Sequence, residues 1–447
     1  MAEGTKYLII GNSAGGIGAA EAIRETDKDG TITIVSDEPY HVYSRPQISD
    51  HLATGHPLEK MLYRKADFYT ANNIKTVLGA KVARLDTANN SVEFGDGKTL
   101  GYEKLLLATG GTPIVPPMEG LEREKTFTFT TLDDAKAIDK FLDSNKDKTV
   151  RALVIGGGLI GVSVTEALVK RGVKVSIIEM KDRILNTILD EEGSALGLAA
   201  LEEADVEVIT EHTVTKVSTN ASGETTGVTL DDGGAIDCDL VIVAIGVQPR
   251  SDLAAGTDIS MNRGILVDRY MVSSVPNVYA CGDVAEAYDF VHGENRLSPI
   301  WPNAYIGGRI AGLNMAGDAT EYKGGTAMNS MKYFGLAVTS AGMVVPPDDS
   351  YEIFESHLDH AYKKVVVKDG VIVGMVFSGD IEKSGIIYNL MKDKVNVEDI
   401  KPTLVTEDFG LISLPEEIWR SKLEMPGGDS DFPAVTGEEP KESVIID

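Results

Sequence analysis

Two stretches of this chain repeat one order of events: a short apolar run, a glycine-rich turn, a helix-forming run, and a second apolar run ending in acid. The first reads KYLIIGNSAGGIGAAEAIRE, followed by TITIVSDE; the second reads RALVIGGGLIGVSVTEALVKRGVKVSIIEM. Glycines at such a turn let the backbone approach a pyrophosphate, the helix N-terminus faces it, and the acid meets a ribose hydroxyl. In the second unit Gly156, Gly158 and Gly161 fill all three glycine positions, and Glu179 ends the next strand. In the first, Gly11 and Gly16 hold the outer positions, Ser13 holds the middle one, and Asp37 and Glu38 supply the acid. One imperfect pattern is weak evidence. Two in one chain, each between strand and helix, specify an α/β protein with two dinucleotide-binding units.

Three later segments extend the pattern. KLLLATGGTPIVPP is a buried-type strand followed by Ala108, Thr109 and Gly110, and DLVIVAIGVQPRSDL repeats the strand-then-glycine form around Gly246. VPNVYACGDVAEA ends a strand in Gly282 and Asp283, an acid placed for the hydroxyls of a ribityl chain. Beyond them, AYKKVVVKDGVIVGMVFSGD reads as two alternating strands joined by Asp369-Gly370, a strong hairpin signal. The last stretch, MPGGDSDFPAVTGEEPKESVIID, is acidic and rich in Pro, Gly and Ser, the composition of a disordered tail.

The length of 447 residues calls for two or three domains, and a formal charge of −27 argues against nucleic acid or anionic lipid as a partner. No segment is long and apolar enough to span a bilayer, and the N-terminal apolar run lacks the basic flank of a signal peptide. The expectation is a cytoplasmic enzyme with a solvated acidic surface. Only Cys238 and Cys281 are present, which excludes a CxxC redox pair or a cysteine-ligated iron–sulfur cluster within the chain and leaves no metal site to predict.

Together these segments resemble the pyridine nucleotide-disulfide oxidoreductase superfamily, from about Lys6 to the helix of GGRIAGLNMAG. The resemblance implies two Rossmann-like domains, with the NAD domain inserted in the FAD domain, and a C-terminal α+β interface domain. The implied boundaries are residues 1–115 and 240–321 for FAD, 116–239 for NAD, 322–416 for the interface domain and 417–447 for the tail. It further implies FAD and NAD(H) as cofactors. The residues it assigns to them are Gly11, Ser13, Ala14, Gly16, Asp37, Glu38, Arg45, Val82, Ala108, Thr109, Gly110, Gly282, Asp283, Trp301 and Ala304, with Gly156, Gly158, Leu159, Ile160, Gly161, Glu179 and Gly246. A homodimer is left open.

The stretch YHVYSRPQISDH selects a branch. Family members that reduce disulfides or peroxide place a cysteine here; this chain has Arg45. The form resembles the NADH-dependent rubredoxin and ferredoxin reductases and the flavin module of nitrite reductases, and WPNA at Trp301–Ala304 points the same way. That branch implies hydride exchange with NAD(H) and single-electron exchange with a small iron–sulfur protein of rubredoxin or ferredoxin type. The chemistry is the flavin's, so no side chain is needed as acid, base or nucleophile. Both cysteines are then structural. Two other functions stand beside this one: an NADH oxidase using oxygen, and a redox-signalling flavoprotein that senses NADH.

Three departures from the resemblance bear on the flavin. Where many relatives carry a Lys–Glu pair near N5, this chain has Asp50 and Ser163, and losing both partners avoids stranding a buried charge. Glu166, one turn beyond Ser163, is a candidate to face the same region. Leu159 stands where a tyrosine often shields the flavin; it either opens the nicotinamide site or packs the strand–helix turn. In the second unit, Arg183 offers a counter-charge that would weaken a Glu179-based preference for NADH over NADPH.

Overall fold

A computed structural model describes residues 4–121, 126–358 and 360–414. The tail expected at 417–447 lies outside the described residues. The apolar runs of the first unit form a sheet in the order Ile74–Leu78, Ile32–Ser36, Gly4–Ile10, Thr99–Leu107, Ser91–Phe94 and Val82–Asp86. Ile32–Ser36 is buried throughout, as a parallel strand covered on both faces must be. Thr99–Leu107 joins three neighbours. Its start pairs antiparallel with Ser91–Phe94, its length pairs parallel with Gly4–Ile10, and Leu105–Leu107 pairs with Val278–Ala280. That last pairing brings a segment far along the chain, ending at Gly282-Asp283, beside the first glycine turn.

Two helices close the same region. Ala14–Thr26 and Trp301–Met315 lie so near each other that a Cβ on Gly308 would sit 2.0 Å from the Gly15 carbonyl oxygen, and one on Gly312 would sit 2.4 Å from that of Ala19. Only bare backbone allows this approach, and it sets Trp301 over the mouth of the first turn.

The second sheet is parallel, in the order Glu207–Thr210, Lys174–Glu179, Arg151–Ile155 and Leu240–Val243. Leu240–Val243 corrects the expected boundary at 239: its four buried apolar residues pair with Arg151–Ile155, so the second unit closes only after Val243. The chain enters and leaves this unit through two short strands that pair antiparallel, Gly111–Pro113 and Val247–Pro249.

The C-terminal sheet is antiparallel, in the order Met328–Tyr333, Leu336–Gly342, Val371–Ser378, Ala361–Lys368 and Glu352–Leu358, with helix Ser384–Lys392 packed on it. The expected hairpin is present: Asp369 (φ 51°) and Gly370 (φ 74°) join the two long strands as a two-residue turn with both residues left-handed. The sheet is tied to the second unit by buried groups. Lys364 Nζ lies 2.8 Å from Asp190 Oδ2, and the Tyr362 hydroxyl donates to the same oxygen at 2.8 Å. Among the described residues no helix is long and apolar enough to cross a membrane.

Candidate functional site

The first glycine turn opens into a cavity of about 740 Å³. Sixteen of the residues singled out above line it: Gly11, Ser13, Ala14, Asp37, Glu38, Arg45, Val82, Ala108, Thr109, Gly110, Leu159, Ile160, Gly282, Asp283, Trp301 and Ala304. Gly16 sits behind the wall, where a Cβ would lie 1.9 Å from the Gly11 carbonyl oxygen. Gly11 itself has φ +127°, and a Cβ there would meet the Ala108 carbonyl oxygen at 2.0 Å. No side chain fits at this point, so backbone is what the cavity presents. The unpaired N–H groups of the Ala14–Thr26 helix begin immediately after it.

Arg45, in the place of the family's thiol, is held on several sides. Its guanidinium is ion-paired with Glu38 and donates to the Thr130 carbonyl oxygen at 3.1 Å. The Tyr43 hydroxyl donates to Glu38 Oε2 at 2.5 Å and accepts from the Leu132 N–H at 3.0 Å. Burial, the largest influence, pushes the Tyr43 phenol above its ordinary range. On the opposite wall, burial raises the Asp283 carboxyl above the usual range, and the cationic Arg45 offsets this only in part. Apart from its own backbone N–H, no group among the described residues hydrogen-bonds to that carboxyl. A part-buried carboxyl with oxygens left free in this way suits a ligand hydroxyl.

Cys281 also touches the cavity wall, but its sulfur is packed so tightly that a Cβ on Gly15 would lie 2.8 Å from it. Burial pushes the thiols of Cys281 and Cys238 up to about 12, so both stay protonated and un-nucleophilic at neutral pH.

Of the three departures, Asp50 is exposed on the short helix Ile48–Thr54, whereas Ser163 lines the cavity. The expectation for Glu166 is not met. Its carboxylate turns away from the cavity to accept the Phe334 N–H at 3.1 Å and to pair with Lys170 at 3.2 Å, pinning the turn between Met328–Tyr333 and Leu336–Gly342 to helix Leu159–Lys170. Leu159 lines the cavity and also packs beside the buried cluster around Val162 and Tyr333.

The second glycine turn is built alike but sits on an open face. Gly156 has φ +110°, and a Cβ there would meet the Ala244 carbonyl oxygen at 2.5 Å; a Cβ on Gly158 or Gly246 would meet nothing within 4 Å. Gly161 repeats the role of Gly16 at 1.9 Å from the Gly156 oxygen. Glu179, only 8% exposed, accepts the Gly157 N–H at 2.7 Å and the Lys181 N–H at 2.8 Å. Each oxygen keeps a lone pair for a ribose hydroxyl. Arg183 Nη1 makes two contacts to its exposed neighbour Asp182, at 2.7 and 3.0 Å, while its Nε has no partner among the described residues.

Several residues at these sites escaped the sequence pattern. Met331 of the C-terminal sheet and the segment Phe129–Thr131 line the cavity outside any recognisable motif, and Arg250, four residues beyond Gly246 in the strand-then-glycine segment, lines it too. Met180 and Ile245, 63% and 41% exposed, flank Glu179 and Gly246 in the chain. A large apolar residue directly after a strand-end acid was the available signal.

The bare backbone at Gly11, the Asp283 carboxyl and the cavity that both line fit FAD, and the open second turn fits NAD(H). Comparison with known proteins agrees. A family model described as pyridine nucleotide-disulphide oxidoreductase matches residues 5–308, and one described as rubredoxin NAD+ reductase C-terminal domain matches residues 328–395. The chain is 30% identical to an NADH-dependent phenylglyoxylate dehydrogenase subunit epsilon of Aromatoleum evansii, across 94% of this chain and 99% of that one. It is also 30% identical to an NADH-rubredoxin oxidoreductase of Clostridium acetobutylicum, across 84% of this chain and 92% of that one. Among solved structures, the putidaredoxin reductase–putidaredoxin complex gives a TM-score of 0.82 at 24% identity, covering 94% of this chain and 99% of that one. That likeness speaks to the fold.

Proposed function

The chain belongs to the pyridine nucleotide-disulphide oxidoreductase family, as an FAD-dependent enzyme working with NAD(H), and from that premise we propose that its electron acceptor or donor is a one-electron iron–sulfur carrier of rubredoxin or ferredoxin type. The observation that carries this reading is the wall beside the first turn. Arg45, locked by Glu38 and Thr130, stands where a thiol relay would be, and the two cysteines are buried and protonated. The match of residues 328–395 to a rubredoxin reductase C-terminal domain supports the same choice.

When bound, FAD supplies hydride exchange with the nicotinamide and release of electrons singly. The protein's own part is to bind, orient and exclude water. The Gly11–Gly16 turn and the following helix would hold the pyrophosphate, and Asp283 would accept a hydrogen bond from a ribityl hydroxyl. Leu159, Ile160 and Ser163 bring the NAD unit into the cavity wall. Gly158 and Glu179 would seat the nicotinamide dinucleotide. Met331 makes the C-terminal domain part of the same wall.

The full-length similarity to a dehydrogenase subunit favours a second form of this reading, in which the carrier is a permanent partner subunit. Steady-state turnover with NADH and rubredoxin, ferredoxin or oxygen tests both forms. A carrier faster than oxygen supports the reading. Oxygen as the fastest acceptor replaces it with an oxidase, and slow turnover with all three favours the signalling function.

A further inference from the structure

The cavity has a charged crossing at one edge that the cofactor-binding pattern does not require. Arg250 Nη1 lies 2.8 Å from Asp37 Oδ2, and the two residues, 213 positions apart in sequence, both line the cavity. Asp37 follows the second strand of the first sheet. Arg250 follows Val247–Pro249, the strand by which the chain returns from the second unit.

The backbone of Arg250 is fixed at both of its polar groups. Its N–H donates to the Gly110 carbonyl oxygen at 2.9 Å, and its carbonyl oxygen accepts the Thr109 hydroxyl at 2.7 Å. Thr109 and Gly110 are themselves cavity wall. The base of the side chain therefore cannot drift, and the guanidinium either reaches Asp37 or swings into water. Both side chains are partly exposed, at 34% and 47%, so opening is cheap and salt-sensitive. Asp37 Oδ1 has no hydrogen-bond partner among the described residues and stays available to the ligand.

We propose that the Arg250–Asp37 pair is a latch across the cavity mouth that governs how fast FAD leaves, with Arg250 acting as a positioning residue through Asp37. The inference rests on the proposed seating of FAD in this cavity. Its signature is kinetic, since a partly exposed ion pair adds little to the stability of the fold.

The test uses the full chain loaded with FAD, and follows release by flavin fluorescence after dilution, for the parent, Arg250→Gln, Asp37→Asn and the double variant. FAD content is measured first; a parent that holds no FAD overturns the seating and the latch together. With FAD present, the latch predicts release about two- to fivefold faster in each single variant, with the double variant no faster than the singles. Parent release should accelerate between about 20 and 500 mM NaCl, and Arg250→Gln should be flat across that range. Unchanged release in Arg250→Gln, or effects that multiply in the double variant, overturns the latch while leaving the seating intact. Thermal unfolding of the four apoproteins guards against a folding defect: equal midpoints are expected, and faster release that merely tracks a lowered midpoint counts against the latch.

Discussion

The two glycine turns of this protein are near-copies in sequence and opposites in setting. In both, a first glycine at positive φ lies against a carbonyl oxygen of a neighbouring strand's end, and a third lies 1.9 Å, by its absent Cβ, from the first. Around Gly11 the chain then adds walls: the Trp301–Met315 helix, the Thr109-Gly110 turn, the head of the second unit's helix, and Met331 from the C-terminal sheet. Around Gly156 it adds almost nothing, leaving Gly158 open and Met180 and Ile245 bare. A shared motif thus gives a shared way of meeting a pyrophosphate. What surrounds the motif decides whether the nucleotide is resident or passing.

The sharpest way to break this comparison is to put the same methyl group into each turn. Gly11→Ala places a Cβ into the Ala108 backbone at a φ that disfavours any side chain. We expect loss of FAD and a destabilisation of about 3 kcal/mol or more, read as an apoprotein with a lowered unfolding midpoint. Gly158→Ala, at φ −81° in open space, should keep FAD content and midpoint at the parent level while raising KM for NADH. Loss of FAD from the second variant would show that the two turns are not separate sites.

Asp283→Asn should act next most strongly, and with opposite signs on ligand and fold. Losing a charged acceptor should weaken FAD roughly tenfold. The carboxyl's folded value is raised by burial, so it favours the fold while protonated, and that contribution is lost as pH rises from the ordinary carboxylate range through the raised value. The parent apoprotein should therefore be the less stable of the two at neutral pH, with the difference shrinking on acidification. Melting curves from pH 4 to pH 8 check this, and an Asn variant less stable at pH 7 would remove the claim that Asp283 is a strained ligand group.

At the open turn, NADH should be preferred to NADPH, because Glu179 is fixed by the Gly157 and Lys181 N–H groups and Arg183 is paired with Asp182. Glu179→Gln should cut the ratio of kcat/KM values about tenfold by relieving repulsion of a 2′-phosphate. An unchanged ratio would mean that Glu179 serves only the turn. The smallest effect is expected from the cysteines: with Cys238 and Cys281 both changed to Ser, NADH-driven reduction of an artificial acceptor should stay within a few-fold of the parent.

What could be read from sequence follows the same physical line. Gly11, Gly156 and the Asp369-Gly370 hairpin were readable because backbone geometry dictates the residue, and a strand-turn-helix order is local. The closing of the second sheet by Leu240–Val243 was misplaced by a few residues, because a strand that completes a distant sheet carries no label of which sheet it joins. Glu166 was misdirected since one helical turn fixes spacing but not which neighbour arrives, and here it is the Phe334 N–H. Met331 and Phe129–Thr131 reach the cavity only through tertiary packing, and nothing local announces them; Arg250 sits in the segment around Gly246, but that segment does not say that it reaches Asp37.

The central claim is that electrons leave a resident flavin one at a time without a thiol. Anaerobic stopped-flow tests it most directly: the protein is reduced with NADH, then mixed in turn with rubredoxin, a ferredoxin, an organic disulfide and oxygen, while flavin absorbance is followed. The account predicts that an iron–sulfur carrier restores the oxidised spectrum fastest, ahead of oxygen, with the disulfide nearly inert. A disulfide that reoxidises the protein as fast as the best carrier, or oxygen that outruns every carrier, would contradict it.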